Sequence, residues 1–195
     1  MSFVDGFYSF NIKLNNCDNN IYEKIRLKTA KHPLEPLSHL AARVIAFCDC
    51  YKEDIKLSQG WFEKKEPDIF GKDILGEFFL WAAVGLPEKD KILKALKFHQ
   101  NAKIFVYFYK LEDIFAFCHY LRGSKTNWAE GIHFRLIDSS LLDSIEESLT
   151  SSSNWELSIV DNTLYLVFDD LELESKITDI DIWKEYQESI KNISV

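Results

Sequence analysis

Alternating apolar and polar positions mark the beginning of the chain. From Tyr8 to Leu14 every second residue is apolar, and a second alternating run extends from Ile21 to Thr29. A period of two is typical of strands with one buried face. The polar segment Asn15 to Asn20 separates the two runs, so they are predicted to form a β-hairpin.

A period of three to four residues follows the break at Pro33. Leu37, Leu40, Val44 and Cys48 fall on one side of a helix that is predicted to run for about four turns, through Tyr51. Strand-like and helix-like runs then alternate. Strands are predicted at 55–58, 77–85, 103–109 and 132–136, and helices after Pro87 and at 111–121 and 142–149. This alternation is typical of an α/β sheet with helical crossovers.

The end of the chain returns to a period of two. Residues 155–159 and 164–168 are predicted to pair as a second hairpin across Asp161-Asn162, and residues 180–190 to form a last helix. The pattern predicts an α/β fold in which a mixed sheet is flanked by helices and carries additional N-terminal and C-terminal β-hairpins. All 195 residues are predicted to form one domain.

The segment Glu66-Pro67-Asp68 carries the most specific chemistry in the sequence. A Pro-Asp followed by a strand is the skeleton of the nuclease motif PD…(D/E)-x-K, in which two acids hold Mg²⁺ and a Lys steadies the attacking water. Ala83 and Gly85 occupy the positions of the second acid and of the Lys. The skeleton of a metal-dependent nuclease is therefore present without two of its reactive groups.

Strand geometry limits what could replace those groups. Alternation predicts that residues 77, 79, 81, 83 and 85 share one face, so Glu77 lies roughly 20 Å from position 83, too far to share an ion with Asp68. Glu66 is two residues before Asp68 and could face the same way. Asp68 and Glu66 are therefore the candidate metal ligands.

The candidate catalytic residues are Asp68, Glu77 and Lys94, with Lys94 as a displaced cation. Each has a structural alternative. Asp68 could close a turn, Glu77 could pair with Arg43 or with a backbone N–H, and Lys94 could be an ordinary surface residue.

The composition of the chain bears on its cellular location and on whether it binds zinc. The longest apolar run, Phe78 to Val84, is far shorter than the ~20 residues of a membrane span. No signal-like segment opens the chain, so a cytoplasmic protein is expected. The four cysteines and five histidines have no chelating spacing, which predicts free thiols and no zinc site.

Charge is distributed unevenly along the chain. The net charge is −8, and the residues from Asn154 onward hold ten acids and three lysines, so the preceding part is almost neutral. Five lysines between Lys89 and Lys103 form a local basic stretch. A nucleic-acid partner remains an open prediction that the net charge does not support, because affinity for phosphates needs several Lys or Arg contacts.

Several blocks of the sequence together resemble the YaeQ family. They are Ala30–Glu35, Arg43–Phe47, Glu66–Asp68, Gly76-Glu77, Trp81, Val84-Gly85-x-Pro87 and Lys94-Ala95. The resemblance covers most of the chain and implies a restriction-endonuclease-like fold with extra β-structure, but no established reaction. The positions of Ala83 and Ser38 are commonly acidic in that family, so this chain lacks two of its carboxylates.

Two main functions remain open at this point. The first is a catalytically degenerate nuclease-like fold that serves as a binding or accessory module and has no cofactor. The second is a Mg²⁺-dependent nuclease or phosphodiesterase that uses Asp68 with a rearranged second acid. A third option is a small-ligand pocket lined by Trp61, Phe62, Trp81 and Tyr107. Oligomeric state and partner are not predicted.

Overall fold

The computed structural model describes residues 6–58, 66–124 and 127–193. The N-terminal part contains β1 (Gly6–Asn16), β2 (Ile21–Lys31), α1 (Leu37–Asp49), β3 (Ile55–Leu57), β4 (Ile69–Lys72) and β5 (Phe78–Val84). The middle contains α2 (Lys89–Phe98), β6 (Lys103–Phe108), α3 (Leu111–Leu121), β7 (Ile132–Ile137) and α4 (Ser139–Ser148). The last elements are β8 (Ser152–Val160), β9 (Thr163–Phe168), β10 (Leu171–Ile180) and α5 (Ile182–Ile193).

All the strands in the described part of the chain join one curved sheet. Its ten strands have the order β2-β1-β8-β9-β10-β7-β6-β5-β4-β3, which makes β2 and β3 the edges. The alternation of α and β elements and the two hairpins are confirmed. The hairpins are not additions to a smaller sheet, however, because β1 pairs in parallel with β8 and β10 pairs with β7. The sheet is therefore a mixed one that is nearly closed.

The strands predicted at 77–85 and 103–109 are present as β5 and β6, and they are neighbours in the sheet. β5 and β6 pair in parallel, with Ala83 beside Val106, and β7 continues the parallel set. Two strands of the sheet, β4 with four residues and β10 with ten, were not predicted. Within the β4–β5 pair the register shifts at Gly71/Lys72: Gly71 pairs with Leu80, Lys72 pairs with Phe78, and Phe79 is left unpaired.

Two apolar clusters cover the two faces of the sheet. The larger one lies on the inner face of the curve, where α1 and α4 pack against strands from both halves. The second lies outside β5, β6 and β7, under α2, α3 and α5. Within the described residues, none of the helices has the length and apolar character needed to cross a membrane.

Helix α1 is the central element of the inner cluster. Every residue from His39 to Asp49 is buried, including the charged ones, because the sheet curves around the helix. At its C-terminal end, buried Asp49 accepts a hydrogen bond of 2.6 Å from the Tyr107 hydroxyl and lies 3.3 Å from Nη1 of Arg135. Burial raises the pKa of Asp49, and the nearby Arg135 charge opposes that rise. These contacts fix one end of α1 to the sheet.

Candidate functional site

Arg43 is the hub of a buried charged cluster near the N-terminal end of α1. Its side chain is fully buried and donates from Nη1 to Oε1 of Glu35 at 3.0 Å. Nη2 donates to the carbonyl oxygen of Ser58 at 2.6 Å, and Nε lies 3.9 Å from Oδ1 of Asp68. A single guanidinium thus joins the helix, the end of β3 and the Pro-Asp segment.

Glu35 enters the cluster from the turn that precedes α1. It lies outside the helix, because Pro36 is the N-cap of α1 and has an extended backbone. Its Oε2 accepts a hydrogen bond of 3.2 Å from the backbone N–H of His32. Both carboxylate oxygens therefore have donors, as a buried charge requires.

Asp68 lies at the end of the β4–β5 hairpin. Its Oδ2 accepts a hydrogen bond of 2.9 Å from the backbone N–H of Val84. Because Ile69 pairs with Ala82, Asp68 is opposite Ala83, as the sequence predicts. Its side chain is 21% exposed, whereas those of Glu35 and Arg43 are fully buried. Asp68 is therefore the member of the cluster that solvent reaches.

A neutral pair, His39 and Tyr109, covers the cluster on the side of β6. Nδ1 of His39 and the Tyr109 hydroxyl are 3.1 Å apart, and Nε2 lies 3.9 Å from Oε1 of Glu35. Burial lowers the pKa of His39, although Asp68 and Glu35 oppose that change. Burial also raises the pKa of Tyr109, to about 12. Both rings are consequently uncharged at neutral pH.

Gly85, directly after β5, is constrained by its backbone conformation and not by the space around it. Its φ is +80°, and a Cβ atom there would approach the Tyr109 ring at 3.6 Å, Oδ2 of Asp113 at 3.9 Å and Cε1 of His39 at 4.0 Å. The prediction that Gly85 continues the face of Ala83 is wrong, because the left-handed backbone turns the chain out of the strand.

The same alternation fails at the beginning of β5. Phe79 packs against the inner cluster, while Trp81 and Ala83 belong to the outer one. The bulge opposite Gly71 causes the change, and the Phe79 ring lies so close to Gly71 that a Cβ there would be 2.2 Å from it.

The other candidate residues lie elsewhere. The Glu66 carboxylate faces Nζ of Lys72 at 3.5 Å, and the Glu66 carbonyl accepts from Nζ of Lys91 at 2.6 Å. Glu77 is exposed in the β4–β5 turn, so its predicted pairing with Arg43 is wrong. Lys94 is exposed on α2. Of the candidates, the structure brings only Asp68 into the Arg43 cluster.

Sequence reasoning missed Glu35, His39, Arg43 and Tyr109 as a group. One signal was available, since Arg43 interrupts the apolar run of α1 and a buried charge requires a partner. The aromatic pocket does not form from its described members, because Tyr107 belongs to the inner cluster and Trp81 to the outer one. Trp61 and Phe62 lie outside the described residues.

The side chains of the cluster are a poor set of metal ligands. In residues 6–58, 66–124 and 127–193, no three His, Cys, Asp or Glu side chains come together as ligands. Glu35 and Asp68 approach a common centre, but the Arg43 guanidinium lies between them with its own positive charge. This arrangement does not fit a divalent cation. All four cysteines are free, and burial raises the pKa of Cys48, Cys50 and Cys118.

Three comparisons with known proteins all find that this chain is similar to YaeQ proteins. The family model described as YaeQ protein matches residues 1–177. The chain is 27% identical over 101 residues to a Salmonella typhi protein described as uncharacterized protein YaeQ, covering 51% of this chain and about half, 55%, of that relative.

Two solved YaeQ structures share the fold. The Pseudomonas syringae structure has a TM-score of 0.77 at 18% identity, over 89% of this chain and 94% of that one. The Xanthomonas axonopodis pv. citri structure has a TM-score of 0.79 at 17% identity, over 89% of this chain and 96% of that one. Because the family model covers nearly the whole sequence, this chain belongs to the YaeQ family.

Proposed function

We propose that this chain is a catalytically degenerate, restriction-endonuclease-like protein that acts as a binding or accessory module. The observation that carries the proposal is the position of Arg43. A metal-dependent phosphodiesterase needs a divalent cation to polarise the phosphate and generate the nucleophile. Here a fixed guanidinium binds Glu35 at 3.0 Å and lies 3.9 Å from Asp68, where such an ion would need both carboxylates.

The arrangement of β4 to β7 supports the nuclease-like part of the proposal. An antiparallel hairpin, β4–β5, is followed by two parallel strands with helical crossovers, and the Pro-Asp segment lies at the end of that hairpin. This is the context that the PD…(D/E)-x-K skeleton requires. Ala83 and Gly85 leave that skeleton without its second acid and its Lys.

The charge states of the cluster around Arg43 also argue against general acid–base catalysis there. Arg43 compensates the buried carboxylate of Glu35, and His39 and Tyr109 are neutral and bonded to each other. Asp68, with 21% of its side chain exposed, is the carboxylate of the cluster that remains accessible. One carboxylate holds Mg²⁺ weakly, since this ion keeps its waters and favours several hard oxygens.

The alternative, a Mg²⁺-dependent nuclease, would need a second acid beside Asp68. Glu66 was the candidate, and its carboxylate instead faces Lys72 at 3.5 Å. That contact favours the binding-module proposal over the alternative.

Cleavage assays distinguish the binding-module proposal from the nuclease alternative. The protein is incubated with single- and double-stranded DNA and RNA in the presence of Mg²⁺ or Mn²⁺, beside Asp68→Ala as the matched variant. We expect no cleavage above background from either protein. Wild-type cleavage that disappears in Asp68→Ala would overturn the proposal, whereas cleavage equal in both would identify a contaminating nuclease.

A further inference from the structure

The outer face of β1 and β2 carries a concentration of positive charge that folding does not require. Four exposed cations project from this face and form what we call the cationic stripe: Lys13, Lys24, Arg26 and Lys28. Three of them follow one another at every second position of β2, so they point the same way at intervals of roughly 6.8 Å. Lys13 and Lys24 lie directly opposite each other, a cross-strand pairing of like charges that destabilises a sheet.

Little in the described chain compensates the stripe. Lys13 pairs with Glu156 at 2.5 Å, a contact between two half-exposed side chains. Among the described residues, no acidic group lies within ion-pair distance of Lys24, Arg26 or Lys28. The stripe is locally positive on a chain whose net charge is −8. Charge of this sign and placement attracts an anionic partner.

The surroundings of the stripe are polar and grooved. A shallow cavity of about 710 Å³ lies along it and continues over β8 and β9, where Glu156 and Asp169 line it opposite the cations of β2. Asn11 donates to Asn154 at 3.0 Å within this cavity, which leaves further amide hydrogen-bonding capacity directed at solvent.

Exposed aromatic rings stand at both ends of the stripe. Tyr22 is 63% exposed at one end, and Phe7, 55% exposed, lies at the other beneath Nζ of Lys28 at 4.8 Å. A basic track with aromatic platforms is the combination that single-stranded nucleic acids use, since phosphates meet the cations and bases stack on the rings.

We propose that this outer face of β1, β2 and β8 binds single-stranded nucleic acid. Phosphates lie along Lys24, Arg26 and Lys28, and bases stack on Tyr22 and Phe7. A single strand fits better than a duplex because the exposed rings at the two ends of the stripe can stack with unpaired bases. The face is on the opposite side of the sheet from α1, so this inference and the proposal based on Arg43 can fail independently.

Binding is measured by fluorescence anisotropy with the full chain and a labelled oligothymidylate. Its length is about 16 nucleotides, which is the upper end of the range that one single-strand-binding OB-fold domain covers. Contacts to three or four phosphates predict a slope of log K against log salt of roughly −2 to −3. No measurable binding at low salt would overturn the proposal.

Two triple variants with equal changes of charge test the location. Lys24→Gln, Arg26→Gln and Lys28→Gln together should weaken binding at least tenfold and reduce the salt slope by about two. The control replaces three exposed lysines outside the face by Gln, namely Lys52, Lys56 and Lys97. It should remain within about twofold of wild type. Equal losses in the two variants would show a non-specific effect of net charge and reject the face.

A third variant separates nucleic acid from other polyanions without changing charge. Tyr22→Ala should weaken oligothymidylate binding about tenfold, because one stacked base is lost, and should leave binding of inorganic polyphosphate unchanged. If Tyr22→Ala has no effect on either ligand, the face is a general polyanion surface and the proposal is wrong. Tighter binding of a duplex of equal length would also overturn it. Circular dichroism confirms that each variant is folded.

Discussion

Removing the guanidinium of Arg43 is the sharpest test of how the buried cluster contributes to stability. In Arg43→Met the side-chain volume is largely kept, but Glu35 becomes a fully buried carboxylate without its cation. Breaking one half of a buried ion pair costs about 3–5 kcal/mol, because the remaining charge is uncompensated. This loss is a large fraction of the free energy of unfolding of a typical domain, which is roughly 5–15 kcal/mol.

A double variant tests the cause. Glu35→Gln combined with Arg43→Met removes both charges, so it should recover about 1–3 kcal/mol relative to Arg43→Met alone. Lys56→Met, an exposed lysine on β3, is the matched control and should change stability by less than about 0.5 kcal/mol. The free energies come from urea unfolding followed by far-ultraviolet circular dichroism.

Divalent metal provides a second readout. Mn²⁺ should raise the Tm of Arg43→Met, because Glu35 and Asp68 are no longer separated by the guanidinium, and ligand binding to the folded state stabilises it by mass action. It should leave wild type unchanged. A loss below about 1 kcal/mol in Arg43→Met, no recovery in the double variant, or equal stabilisation of wild type by Mn²⁺ would refute the reasoning.

Three further predictions follow from the neighbouring residues. Because burial lowers the pKa of His39, the imidazole binds a proton more readily in the unfolded chain than in the folded one. The stability of the wild type should therefore fall as the pH drops below about 6.5. Urea unfolding at several pH values should show a steeper fall for the wild type than for His39→Gln. Tyr109→Phe should cost about 0.5–1.5 kcal/mol by losing the 3.1 Å contact with His39, and an unchanged Tm would contradict that contact. Gly71→Ala should be more destabilising than Gly85→Ala in thermal unfolding, because a Cβ at position 71 would lie within 2.2 Å of the Phe79 ring. A Cβ at position 85 meets only ordinary contacts and costs about 1–2 kcal/mol for its φ of +80°. The reverse order would show that the bulge adapts freely.

Local patterns in the sequence were sufficient to predict an element where each of its faces has one environment along its whole length, either the core or solvent. The alternation at 8–14 and 21–29 predicts the β1–β2 hairpin because one face of each strand is buried and the other is exposed. The apolar run from Lys103 predicts a strand covered on both faces, and β6 is that strand. The Pro-Asp segment and the strand after it also identified Asp68 as a residue beside Ala83.

Contacts between distant segments decided the rest. β1 pairs with β8 although Ser9 and its partner Ser152 are far apart in the chain, and no local period encodes such a partner. The same curvature encloses α1 on all sides, which buries Arg43 and makes an ion pair with Glu35 necessary. A period of 3.6 predicts which side of a helix is apolar, but only the surrounding sheet determines whether the opposite side reaches water.

The sequence by itself therefore determined the order and type of most elements and one residue of the cluster, Asp68. The tertiary structure decided that Arg43 joins Asp68 and Glu35, and that the bulge at Phe79 and the left-handed backbone at Gly85 interrupt the alternation of β5. The physical reason is that strand and helix periods arise from neighbouring backbone geometry, whereas the burial of a charge depends on every segment that closes around it.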